Sequence, residues 1–265
     1  METIEEFKKV WVEYGITNFE TYKQFRSELY NNEEFCSKFK KINYKNFWKA
    51  SHEFFGTDPI ANNDVKLLTD LNIKKIEDAN KVNWSIAHYS GVSGLMDLFF
   101  MNAESRCIHT NIAEIGAGYG SIFEYLKTKD ANTYDYTGFD LISRFDDCIE
   151  VEGEDGTLSD EQLQLYKNKF NLIYSFNVFQ HLEKSQIEKY INQSYEILDT
   201  TNFSSMILGI CIGGKTFHYG QTIELPTIDE FYKMIEGKFV PCNVYKAFNK
   251  NQLGLHLFYL DTVKQ

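Results

Sequence analysis

The sequence predicts an α/β fold: a mostly parallel sheet with helices on both faces, preceded by a helical N-terminal lobe. From residue 110 onward, short apolar runs alternate with segments of helical spacing, the pattern of consecutive β-α-β units. Before residue 100, aromatic residues recur every three or four positions with helical punctuation between them. The division falls at 1–100 for the lobe, or lid, and 101–265 for the core.

In the lobe, Thr3 and Glu6 form a capping-box pair, and Ile4, Phe7, Trp11 and Tyr14 keep helical spacing until Gly15. A second stripe runs Phe19, Tyr22, Phe25 and Leu29 up to Asn31-Asn32. A third carries Phe35, Phe39 and Ile42, and a fourth Phe47, Trp48, Phe54 and Phe55 before Gly56. Shorter helices are expected near 64–71 and 74–80. The Lys38–Lys49 stretch mixes lysines with aromatics; it reads as a helix with wet lysines and buried rings rather than a patch for an anionic partner. Residues 81–100 lead into the core, and the break at Tyr89-Ser90-Gly91 would set Trp84, His88 and Tyr89 at the edge of a site there.

In the core, strands are expected at 111–115, 134–140, 148–151, 170–175 and 203–211. Helices are expected near 119–128, 159–167, from the Ser185/Glu188 box to Leu198, and from the Thr227/Glu230 box to Gly237. The stretch from Phe239 to Val263 reads as two strands around Asn249-Lys250-Asn251, an antiparallel hairpin on the sheet edge.

The chain is organised around Ile112-Ala113-Glu114-Ile115-Gly116-Ala117-Gly118-Tyr119-Gly120. A buried strand turns through alternating glycines into a helix, which brings backbone close to a cleft. The order G-x-G-x-G, with an acid two residues before it, departs from the G-x-G-x-x-G pyrophosphate fingerprint and disfavours NAD-type binding. An acid there would repel a pyrophosphate and could hold an ammonium group.

E-x-G-x-G-x-G resembles motif I of the class I S-adenosylmethionine (SAM) methyltransferases. Two further features stand in the same order: Asp140 at the end of the next strand, and Asn171-Leu172-Ile173-Tyr174-Ser175-Phe176-Asn177-Val178-Phe179-Gln180-His181-Leu182, which is similar to that family's fourth-strand motif. The resemblance spans about 110–263 and leaves the helical lobe unexplained. It implies a Rossmann-like seven-stranded sheet with SAM as cofactor. Gly116, Ala117, Gly118 and Tyr119 would then face the methionine part of SAM, Glu114 its ammonium, Asp140 the ribose hydroxyls, and Ser175 and Asn177 the crevice. Glu154 and Asp155 are the candidates for the adenine end. The glycine cradle with its long helical N-terminus is also similar to sugar O-methyltransferases of surface-polysaccharide clusters. A hydroxyl acceptor needs a base, for which His181 is preferred on position, with His88 and His218 as the other candidates. His218 and Tyr219, with Trp84, His88 and Tyr89, are the substrate-contacting candidates. The competing reading is a SAM-fold binding or regulatory protein without turnover.

Composition narrows the partners. With 27 basic and 38 acidic residues the chain carries a net charge of −11, which disfavours duplex nucleic acid. There is no asparagine- or aspartate-Pro-Pro-aromatic motif of amino methylation of adenine, and a small-molecule acceptor fits best. No apolar run approaches the roughly 20 residues that span a bilayer. The five cysteines are scattered, without paired CxxC spacing, and no metal site is expected; reduced thiols in a cytoplasmic setting are the expectation.

Overall fold

The computed structural model describes residues 1–55, 96, 99–106, 108–118, 120–127, 133–176, 178–248 and 254–263. The helices expected at 64–71 and 74–80, the turn at 249–251 and the site candidates Trp84, His88, Tyr89, Tyr119 and Asn177 lie outside the described residues. The lobe opens with α1 (Ile4–Glu13), α2 (Phe19–Tyr30), α3 (Glu33–Ser37) and α4 (Tyr44–Phe55). The Thr3/Glu6 box caps α1 as its spacing requires, and Asn18 and Asn32 cap the next two helices.

The core runs β1 (Thr110–Ile115), α5 (Ser121–Leu126), β2 (Tyr134–Asp140), β3 (Cys148–Glu150), α6 (Asp160–Tyr166) and β4 (Leu172–Phe176). A 3₁₀ turn at Phe179–His181 follows, then α7 (Lys184–Ile197), β5 (Ser205–Ile212), β6 (Lys215–His218), β7 (Gln221–Glu224), α8 (Ile228–Ile235), β8 (Phe239–Phe248) and β9 (Gly254–Thr262). Seven strands form one sheet in the order β3-β2-β1-β4-β5-β9-β8. The first five are parallel, and β9 and β8 add antiparallel at the edge. This is the predicted Rossmann-like architecture, C-terminal hairpin included.

Three local features differ from these expectations or add to them. Between β2 and β3 no helix forms: residues 141–147 are irregular bends and turns. The box on α7 sits at Glu183 and Gln186, two residues before Ser185 and Glu188. The stretch 215–224, to which no strands are assigned from the sequence, is a separate hairpin of β6 and β7. Its turn, Tyr219-Gly220, has positive φ at both residues (54° and 115°), the geometry of a tight hairpin turn.

Two apolar layers flank the sheet. On one face Ile112, Tyr174 and Ile207 pack with Met96, Phe99, Ile122 and Leu126. On the other, Ile115, Phe139 and Leu208 belong to a layer that includes Ile187, Phe231 and the lobe rings Phe7, Trp11, Phe39 and Phe47. Each such ring, fully buried, is worth about 1.5–3 kcal/mol relative to exposure. The lobe therefore shares a core with the sheet. Among the described residues no helix is long and apolar enough to cross a membrane.

Candidate functional site

The strand order reverses between β1 and β4, and open α/β sheets bind ligands in the crevice outside the carboxyl ends at that point. Gly116 follows β1 with φ +75°, and a Cβ there would lie 2.0 Å from Val178 Cγ2, beyond the end of β4. Only glycine lets the two strand ends approach this closely.

The amides of the turn are spent internally. Gly116 and Ala117 donate to the Phe139 carbonyl at 2.7 and 3.2 Å, and Gly118 donates to Asp140 Oδ2 at 2.8 Å. Residues 116–118 thus offer a ligand close approach rather than a fan of N–H donors, which suits a cationic amine better than a pyrophosphate. Asp140, at the mouth of β2, also accepts from the Ile142 amide at 3.2 Å and faces Arg144 Nη1 at 3.4 Å.

Glu114 is 5% exposed and its carboxyl accepts from the Tyr136 hydroxyl at 2.5 Å. Burial pushes its pKa up to about 8, with the Tyr136 bond opposing and the Asp140 charge adding to the rise. The charged carboxylate read from the sequence is therefore mostly protonated at neutral pH, and an ammonium partner would have to draw its proton off. Ser175 is fully buried and donates to the Ile115 carbonyl at 2.9 Å, a clamp between β4 and β1. Of the two adenine-end candidates, Asp155 is engaged by Thr157 and Lys189, while Glu154 is exposed.

The lobe closes over the same edge of the sheet. Tyr44 donates to the His181 carbonyl at 2.8 Å, and Lys45 to the Val151 carbonyl at 2.7 Å. Lys49 pairs with Glu150 at the end of β3 at 2.6 Å. The hairpin tip is threaded into the lobe's aromatic core. Trp11 Nε1 donates to the Tyr219 carbonyl at 2.7 Å, Tyr219 donates its amide to the Tyr22 hydroxyl at 3.0 Å, and the Tyr219 ring stacks on Phe55 at 4.3 Å. Tyr219, a substrate-contacting candidate from the sequence, is thus turned into the lobe.

His181 and His218 are brought together. Their ring centroids lie 4.3 Å apart, edge to face, and Trp48 packs on His181 at 4.9 Å and on His218 at 6.1 Å. Burial, then the charges of His181 and Arg26, hold the His218 pKa well below its ordinary value. Sequence reasoning placed Trp48 only in the lobe's packing and missed His52. Tyr44, Trp48 and His52 share one face of α4 at i, i+4 and i+8, which turns that stripe toward the sheet's edge. His52 lies within electrostatic reach of Arg144 and Asp140; burial first, then Arg144, lowers its pKa. The signal was a histidine ending an aromatic stripe at helical period. Among the described residues no cluster of His, Cys, Asp or Glu could hold a metal ion.

The methyltransferase-domain family matches residues 113–200, from β1 through α7. No curated protein sequence matches the chain. Among solved structures, the chain is similar to Burkholderia thailandensis 1,6-didemethyltoxoflavin-N1-methyltransferase, with 12% identity over 79% of this chain and 92% of that one, at a TM-score of 0.44. It is similar to Synechocystis magnesium protoporphyrin IX methyltransferase at 12% identity over 77% and 99% of the two chains, TM-score 0.44. A Pyrococcus horikoshii protein aligns at 10% identity over 66% and 91%, TM-score 0.46. Likenesses this distant assign no activity, and the family model covers residues 113–200 alone.

Proposed function

We propose that this chain, which matches a methyltransferase-domain family over residues 113–200, transfers a methyl group from SAM to a hydroxyl of a small molecule such as a sugar or polysaccharide precursor. The observation that carries this reading is the family match, which begins on the strand leading into the glycine turn and takes in Asp140, Ser175 and His181. The residues present fit the cofactor. Gly116 and Gly118 allow close approach, Asp140 offers a carboxylate to the ribose hydroxyls, and Glu114 lies behind the turn for the ammonium. Glu154 is the remaining acid for the adenine end. Bound SAM supplies an electrophilic methyl group on a sulfonium.

The chain's own work is to hold the acceptor in line and to receive its proton. Our candidate for that proton is the histidine pair His181 and His218, beside Trp48, with His181 just past the mouth of β4. The lobe acts as a lid that excludes water from this edge. Calorimetric titration with SAM and with NAD tests the cofactor: SAM should bind, and binding of NAD alone would overturn the reading. Transfer of label from methyl-labelled SAM to a panel of sugars, sugar nucleotides and phenols then separates an enzyme from a binding protein without turnover.

A further inference from the structure

We infer that His218, rather than His181, is the proton acceptor of the site, and that His181 is its positioning partner. The inference rests on the hydroxyl-methylation reading above. His218 Nε2 is buried and has no hydrogen-bond partner among the described residues. Leaving a buried polar atom unpaired costs about 1–3 kcal/mol. The neighbouring hairpin backbone is satisfied, with Tyr22 and Arg26 both donating to the Phe217 carbonyl, and His218 Nε2 is left for a ligand.

Its surroundings keep it in the competent form. An imidazole accepts a proton only while neutral. The charged or titratable groups that act on His218 are His181 on the 3₁₀ turn and Arg26 on α2; α4 presents the uncharged Trp48 ring. Both neighbours oppose a second positive charge, and burial acts in the same direction. The ring is also fixed in place. His218 ends β6 immediately before the Tyr219-Gly220 turn, and a Cβ on Gly220 would lie 2.4 Å from the Phe39 ring. From the other side Thr216 donates to the Gln180 carbonyl at 3.0 Å, tying the hairpin to the turn that carries His181. Lobe, hairpin and turn together set one imidazole against the other.

In the step itself, the acceptor oxygen bonds to the methyl carbon as the carbon–sulfur bond breaks with its electron pair passing to sulfur. The hydroxyl proton moves to His218 Nε2, which becomes imidazolium. That charge arises next to His181 and Arg26 in a poorly solvated place, so the proton is passed on readily once the product has left.

Three measurements on the full chain test this. His218→Ala and His218→Gln should each lower turnover with labelled SAM by about 100-fold or more, with S-adenosylhomocysteine affinity within twofold of the parent. His181→Gln should lower turnover less. It should also move the acid limb of the pH–rate profile to higher pH, because removing one neighbouring charge lets the His218 pKa rise. Nitrogen NMR of labelled histidine, with His218 assigned by its loss in His218→Gln, should show a neutral ring with a bare Nε2 at pH 7. Turnover within threefold of the parent in a folded His218→Ala, or an unmoved pH limb in His181→Gln, would overturn the inference. So would a protonated ring or an Nε2–H tautomer in the NMR, whether or not any acceptor turns over. Failure of the whole acceptor panel with the NMR as expected would instead count against the hydroxyl reading.

Discussion

Around the glycine turn, Gly116, Ala117, Gly118, Phe139 and Asp140 satisfy one another across two neighbouring strands. Around the β6–β7 hairpin, Trp11 and Tyr22 reach Tyr219 from 208 and 197 residues away in the chain, through rings as much as through hydrogen bonds. Both regions lie at the same edge of the sheet. The first is built from backbone polarity and local order, the second from distant aromatic burial. On the proposed function, the first kind of structure would hold the cofactor and the second would shape the acceptor side.

If that contrast is sound, Trp11→Ala should be the most damaging single change to the lobe. Its indole is fully buried among Phe7, Phe39, Phe47 and Phe55. Truncating such a ring costs about 3–5 kcal/mol, and the bond to the Tyr219 carbonyl goes with it. Urea unfolding would register the loss. A cost below about 1 kcal/mol would show that the lobe does not depend on this core.

Asp140→Ala probes the other region and should leave the lobe's stability almost unchanged. Two charge-assisted bonds to the ribose hydroxyls, each about 1.5–3 kcal/mol, would be lost. The dissociation constant for SAM should rise at least tenfold by calorimetry, since about 1.4 kcal/mol is a factor of ten. An unchanged titration would remove Asp140 from the cofactor site.

The same contrast explains what the sequence disclosed. The strands, the glycine turn, Asp140 and the Thr3/Glu6 and Thr227/Glu230 boxes are set by residues a few positions apart, and the structure forms them where the pattern puts them. The α7 box escaped because Glu183/Gln186 offers the same chemistry two residues earlier. The hairpin escaped because its turn is Tyr-Gly, not the Asn-Gly or Asp-Gly that marks positive φ in a sequence. Its inward residues, Phe217 and Ile223, alternate over only four positions each. The meeting of Trp48, His181 and His218 depends on lobe docking, which no local spacing encodes. Glu114 was legible as a residue but not as a protonation state, because that depends on how completely the sheet buries it.

Glu114 sharpens the comparison through pH. Its folded pKa of about 8 lies above the ordinary carboxyl value of 4.5, so the fold favours the protonated form. That stabilisation is complete below the ordinary value and is lost as pH rises through the folded one. Over the interval between them, stability should fall by about 1.4 kcal/mol per pH unit from this group alone. Glu114→Gln keeps an acceptor for the Tyr136 hydroxyl and removes the titration. The variant should show a flatter dependence of unfolding free energy on pH; parallel curves for the two proteins would mean that Glu114 is not held protonated.

The smallest expected effect lies where the lobe meets the sheet through charge. Lys49 and Lys45 on α4 both reach Glu150 at the end of β3, at 2.6 and 3.1 Å. Burial raises the Glu150 pKa, but the hydrogen bonds from the two lysines outweigh it and hold the carboxyl below its ordinary value. Such a depressed group stabilises the fold above the ordinary value and loses that contribution as pH falls through the folded one. The Glu150 side chain is 41% exposed, so solvent screens the pair and its worth should stay under about 1 kcal/mol. A double-mutant cycle of Lys49→Met and Glu150→Gln, by urea unfolding at low and high salt, reads that coupling directly. It should be a few tenths of a kcal/mol at low salt and fade as salt screens it. A salt-resistant coupling above about 2 kcal/mol would mean that charge, and not the hairpin's aromatic anchor, holds the lobe on the sheet.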